Sequence, residues 1–154
     1  MTQRPQVSRS RSRPRRRPKP SIHPLLGLIG NTPLIPLHFR PEGITILAKC
    51  EFLNPSGSIK DRLALTIFKD ARERGVLGPD SVVLECSSGN TGISLAMVGA
   101  VLGHRVKILM SDTASIERRS IMRHFGAEVQ LFSAERGYIT GIVLAYGIAH
   151  GAAP

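Results

Sequence analysis

From residue 82 to residue 132 short apolar runs alternate with helical stretches: 82–85 reads as a strand, 91–102 as a helix, 106–110 as a strand, 115–125 as a helix and 128–132 as a strand. Strands and helices in such alternation fold as a parallel sheet flanked by helices and joined by right-handed crossovers. The expected fold class is therefore α/β. Ligands of such sheets sit beyond the carboxyl ends of the strands, so function is expected at the turns that leave them.

Upstream, 33–37 and 44–50 read as strands around a turn at 40–43, and the prolines place the first at a sheet edge. Residues 58–74 carry a helical pattern through Ile59, Leu63, Ile67, Phe68 and Ala71, closed by Gly75. Ser115 is the expected N-cap of the 115–125 helix, with Glu117 in its first turn and Gly126 at its end. Residues 137–154 are free of charge and interrupted by glycine, and do not read as a membrane span.

Two turns carry residues suited to chemistry. E-C-S-S-G-N-T-G, residues 85–92, leads a strand into a helix through small side chains. The first N–H groups of a helix lack partners and carry partial positive charge, so they can hold a carboxylate or phosphate. Ser87, Ser88 and Thr91 add hydroxyl donors, while Gly89 and Gly92 keep side chains out of a ligand's way. N-P-S-G-S-I-K-D-R, residues 54–62, sets Lys60 at a helix start beside an apolar face, where the charged form of an amine is disfavoured and imine chemistry is favoured. Each turn alone also reads as structure, one as a capped turn and the other, as most lysines are, as a surface lysine paired with Asp61 or Glu51. The chain has neither G-x-G-x-x-G nor G-x-x-x-x-G-K, which argues against a nucleotide-binding domain.

Together the motifs say more. N-P-S-G-S-I-K-D-R, S-S-G-N-T-G (87–92), I-E-R-R (116–119) and F-G-A-E (125–128), in this order and spacing, resemble the cysteine synthases (O-acetylserine sulfhydrylases) and the related cystathionine β-synthases. These are pyridoxal-phosphate enzymes of the tryptophan-synthase-β-like fold. The resemblance begins near Leu26, takes in I-G-N-T-P-L (29–34) and runs to about Ala145. It implies that Lys60 forms an imine with pyridoxal 5'-phosphate and later shuttles the substrate's α-proton. It further implies that Asn90 bonds the cofactor's phenolic oxygen and that Ser87, Ser88, Gly89 and Thr91 wrap the substrate carboxylate. The implied reaction is β-replacement on a serine derivative, O-acetylserine and sulfide giving cysteine, with condensation of serine and homocysteine as the alternative. At 111–115 the chain reads S-D-T-A-S where cysteine synthases usually carry a proline and a methionine. Ala114 in place of that methionine reshapes the cleft beside the substrate and leaves the sulfur donor open.

The resemblance also implies a second lobe of similar size, which carries the loop for the cofactor phosphate and a hydroxyl facing the pyridine nitrogen. Neither has a counterpart in this sequence. Residues 21–154 are accordingly expected to form an N-terminal lobe with an exposed cleft face, acting as a homo-oligomer or with a partner that supplies the missing lobe. The competing class is a non-catalytic binding or interaction module.

Charge separates the start of the chain from the rest. Residues 1–20 hold eight of the 21 basic residues and none of the 11 acidic ones, so the net charge of +10 is mostly a tail. With Met1 and Val7 as its large apolar residues it is expected to be disordered. It has no aromatic side chain to stack on bases, which argues against a nucleic-acid partner. An Arg- and Ser-rich start also resembles an organelle transit peptide, although four prolines interrupt any amphipathic helix. The five histidines show no metal-ligand spacing, and no metal site is expected. Cys50 and Cys86, each ending a strand, read as reduced thiols of a cytoplasmic protein. No apolar run is long and unbroken enough for a membrane span.

Overall fold

The computed structural model describes residues 23–151, and the basic tail lies outside them. A short helix α1 (Pro24–Gly27) leads to strands β1 (Leu34–Phe39) and β2 (Ile44–Lys49), which pair antiparallel. The first is an edge strand, as its prolines predict, but in a two-stranded sheet separate from the parallel one. The register sets Ile35 opposite Ala48, Leu37 opposite Ile46 and Phe39 opposite Ile44. Opposed residues and second neighbours share a face, so all six lie on one side. Every residue of β1 is exposed.

A loop then enters α2 (Lys60–Glu73), which Gly75 closes in the left-handed conformation at φ +70. Beyond it the expected alternation is observed: β3 (Val82–Cys86), α3 (Asn90–Leu102), β4 (Arg105–Ser111), α4 (Ile116–His124) and β5 (Glu128–Phe132). The strands are parallel in the order β3-β4-β5. Val106, Ile108 and Met110 join the core with α3 and with Met122 of α4. Alternation along the strand turns Leu109 to the opposite face. Ser115 occupies the N-cap position of α4, but its side chain makes no capping bond.

Helix α3 is apolar all round because it is buried on nearly all sides, with Leu95, Ala96, Met97 and Val98 almost fully enclosed. Ala64 and Phe68 of α2 belong to the same core, and burying a side chain such as Phe68 is worth roughly 1.5–3 kcal/mol. The close approach of α3 to the sheet requires glycine at 99, where a β-carbon would stand 2.3 Å from Val106 Cγ2.

A last helix, α5 (Ile139–Ala149), lies beyond the last element assigned from sequence. It packs on β3 and β4, and at Gly141 a β-carbon would stand 2.4 Å from Phe132 Cε1 and 2.6 Å from Cys86 Sγ. Ile139, Ile142, Val143 and Tyr146 form an exposed stripe at helical spacing on it. Among the described residues no helix is long and apolar enough to cross a membrane.

Candidate active site

The two turns singled out by sequence become the N-terminal ends of α2 and α3. Lys60 is the first residue of α2 and Asn90 the first of α3, and both are exposed. The apolar residues nearest Lys60 in sequence, Ile59 and Leu63, are themselves 54% and 41% exposed. The expected apolar setting for Lys60 is therefore an open surface in this lobe.

Lys60 does not pair with Asp61 or Glu51, because both carboxylates are committed elsewhere. Asp61, with no exposed surface, accepts hydrogen bonds from the Ser56 N–H at 2.8 Å and the Ser94 hydroxyl at 2.6 Å, and from the Ser56 hydroxyl as well. Glu51 receives both arms of the Arg62 guanidinium, each at 2.9 Å. Thr32 donates to it at 2.7 Å and Asn54 at 2.9 Å, while Asn54 Oδ1 accepts from the Gly30 N–H at 2.9 Å. The Arg62 and Thr32 bonds, with a smaller part from Asn54, hold the Glu51 carboxyl down at about 2 against the desolvation that would raise it. This network ties I-G-N-T-P-L to both halves of the lysine motif.

The serine turn is built around Ser87. Its N–H continues the sheet by donating to Leu109 O at 3.0 Å, and its buried hydroxyl oxygen accepts from Gly89 N–H at 3.3 Å and Gly92 N–H at 3.1 Å. The amides of Asn90 and Thr91 in the same turn have no partner among the described residues. Ser88 is held on both sides, its hydroxyl oxygen accepting from Ser111 N–H and its carbonyl from Arg118, each at 3.3 Å. A β-carbon at Gly89 would meet nothing within 4 Å, in keeping with an open ligand approach. Gly92 differs from the expectation: a β-carbon there would stand 2.7 Å from Met122 Cε, so this glycine admits α4 rather than a ligand.

Beside Ser88 opens a cleft of about 360 Å³ whose walls include Ser111, Ala114, Arg118, Phe132 and Tyr138. Ala114 thus does line a cleft next to the serine turn. Sequence reasoning missed Tyr138, whose hydroxyl donates to Cys86 O at 2.8 Å. Although 47% of the residue is exposed, desolvation of the hydroxyl, its interaction with the Cys86 thiol and the nearby Cys86 and Glu85 charges push it up to about 12. Burial also raises the carboxyl of Glu85 and the thiol of Cys86. Both cysteines are free, and no metal-holding cluster occurs among the described residues. A second hollow, between Arg72, Leu77, Leu102 and His104, contains none of the expected site residues.

The donor set suits one end of pyridoxal phosphate. An exposed primary amine can take a carbonyl, an exposed amide side chain can donate to a ring oxygen, and unpartnered amides with neighbouring hydroxyls suit a carboxylate.

Residues 25–149 match the family described as "Pyridoxal-phosphate dependent enzyme". O-ureido-L-serine synthase of Streptomyces lavendulae is 42% identical over 127 residues, 82% of this chain and 39% of that protein. Cysteine synthase B of Salmonella typhimurium is 50% identical over 111 residues, 71% of this chain and 37% of that one. The solved structure of cysteine synthase from Entamoeba histolytica superposes with a TM-score of 0.79 at 40% identity, covering 94% of this chain and 44% of that chain. The chain therefore spans well under half the length of the relatives it matches.

Proposed function

Since the chain belongs to the pyridoxal-phosphate-dependent enzyme family, and its relatives include cysteine synthases, we propose that it forms the substrate-side half of a site for β-replacement on a serine derivative. The favoured reaction is O-acetylserine with sulfide giving cysteine. The observation that carries this reading is the Asp61–Ser94 hydrogen bond, which ties the first turn of α2, opened by Lys60, to the second turn of α3, opened by Asn90.

Each residue then has a task. Lys60 holds the cofactor through its amine and moves the α-proton of the substrate. Asn90 orients the cofactor through its side-chain amide. Ser88, Thr91 and the free amides of α3 bind the substrate carboxylate at the positive end of the helix, with Gly89 leaving room for it. Ser87 contributes by stiffening the turn, since its hydroxyl oxygen is occupied by two N–H groups. The cofactor supplies the electron sink. Ala114 in the cleft wall is where the incoming nucleophile is selected, and condensation with homocysteine is the alternative there.

A second reading is favoured by the exposed apolar face of the hairpin and the stripe on α5. In it the lobe acts only when bound to another polypeptide, as an interaction module.

The test is to incubate the purified chain with pyridoxal phosphate, reduce it with borohydride and map the modified peptide, with Lys60→Ala beside the wild type. Modification concentrated at Lys60, with an absorbance band that moves on adding O-acetylserine, supports catalysis. Modification spread over many lysines and unchanged in Lys60→Ala refutes the assignment.

A further inference from the structure

Asp61, Ser56 and Ser94 form a buried polar knot that the proposed chemistry does not use. Asp61 and Ser94 have no exposed surface at all. A carboxylate taken out of water is costly unless its lone pairs are satisfied, and here three donors do so, with no Lys or Arg bridge to Asp61 among the described residues. Arg62, next in sequence, turns to Glu51 instead. Successive helical residues point about 100° apart, so K-D-R sends three side chains to three places: Lys60 outward, Asp61 to α3 and Arg62 to the segment before β1.

An acidic residue in the first turn of a helix needs no burial to favour that helix; exposed at the surface it would do as much. The burial of Asp61 therefore serves the contact with α3. Its two oxygens divide the work. Oδ2 accepts from Ser56 N–H in the loop that delivers Lys60, and Oδ1 accepts from the hydroxyls of Ser56 and Ser94, whose oxygens lie 3.1 Å apart. Ser94 stands four residues after Asn90, one turn or roughly 6 Å along α3. A bond to Ser94 thus fixes both the height and the rotation of α3 against the loop.

We propose that Asp61 is a positioning residue that holds Lys60 in register with Asn90, by locking the 54–59 loop and the second turn of α3 to one carboxylate. This rests on the roles given above to Lys60 and Asn90. It assigns to the lysine motif a second function, setting the geometry between two helix N-termini, with Ser56 and Ser94 as its partners.

The test uses the full chain and the variants Asp61→Asn, Ser94→Ala and Asn90→Ala, with two readouts. The first is backbone hydrogen exchange and needs no cofactor. In Ser94→Ala, a smaller perturbation should Asp61→Asn fail to fold, exchange across 54–60 should rise about tenfold, the scale of one lost hydrogen bond, while α3 residues 95–98 keep wild-type protection. Unchanged exchange at 54–60, or an equal rise everywhere, overturns the proposal. The second readout is the absorbance band of chain loaded with pyridoxal phosphate. Asp61→Asn should shift the band in the same sense as Asn90→Ala, and the double variant should shift it no further. A folded Asp61→Asn whose band matches wild type overturns the proposal. If wild type itself takes up no cofactor at Lys60, the functional reading fails, and the exchange result still decides whether Asp61 locks loop to helix.

Discussion

Alanine at Gly99 tests how closely α3 approaches the sheet. A β-carbon there would stand 2.3 Å from Val106 Cγ2, 3.3 Å from the His104 carbonyl oxygen and 3.3 Å from Phe68 Cζ. Carbon atoms in contact prefer about 3.5–4.0 Å, so the Val106 methyl is overlapped by more than about 1 Å. Val106 is buried and β-branched, which restricts the room that methyl has to move aside. Overpacking of this kind costs about 1–3 kcal/mol, and the better helix propensity of alanine offsets about 1. The expected net loss is about 0–2 kcal/mol, a fall of up to roughly 8 °C in Tm for a chain of this size. Gly92→Ala is the internal comparison. Its β-carbon would meet Met122 Cε at 2.7 Å, the end of a flexible side chain, and stability should stay within about 1 kcal/mol of wild type. Urea unfolding followed by circular dichroism reads both. Because Val106→Ala removes the obstructing methyl, the double variant with Gly99→Ala should lose less than the two single variants together. A raised midpoint for Gly99→Ala, or strict additivity with Val106→Ala, would refute the packing argument.

The remaining predictions concern polar groups. Glu51 is held at about 2 against an ordinary value of 4.5, so its contribution to stability is present above pH 4.5 and fades as pH falls through 2. Thermal melts between pH 5 and 2 should therefore show an acid loss that is smaller in Glu51→Gln, and identical pH slopes would contradict the Arg62 pairing. Tyr138, raised to about 12, stabilises the fold below pH 10 and loses that effect as pH rises through 12. Ultraviolet titration should show a late tyrosinate transition that Tyr138→Phe abolishes, along with a stability loss of about 1 kcal/mol from the bond to Cys86 O. Ser87→Ala should cost about 1 kcal/mol by uncapping Gly89 and Gly92, measured by urea midpoint, and a neutral result would mean the two N–H groups find water instead.

The alternation of strands and helices was legible because α2 carries a helical period, the short apolar strands are bounded by turns and α3 follows a capping turn, and β5 falls at its expected bounds of Glu128 and Phe132. Helix α5 carries no such signal. It is apolar all round with glycines inside it, and only its packing on Phe132 and Cys86 makes it a helix with one buried side. Lys60 and Asn90 were legible as the first residues after small-residue turns. Asp61 was not, because what buries it is Ser94, 33 residues away, and no local pattern records such a bond. Gly92 was legible as a tight place but not as whose place. A glycine that admits Met122 and one that admits a substrate leave the same letter in the sequence.

The β1–β2 hairpin has a consequence for how the chain behaves at rising concentration. Ile35, Leu37, Phe39, Ile44 and Ile46, each between 41% and 54% exposed, share one face of a sheet whose two edges pair with no further strand among the described residues. Such a surface offers backbone pairing and apolar contact in one place, the combination through which separate chains join edge to edge. Light scattering of the purified chain should therefore climb with concentration and fall when Ile46 is replaced by lysine, since a charge on that face acts as a gatekeeper.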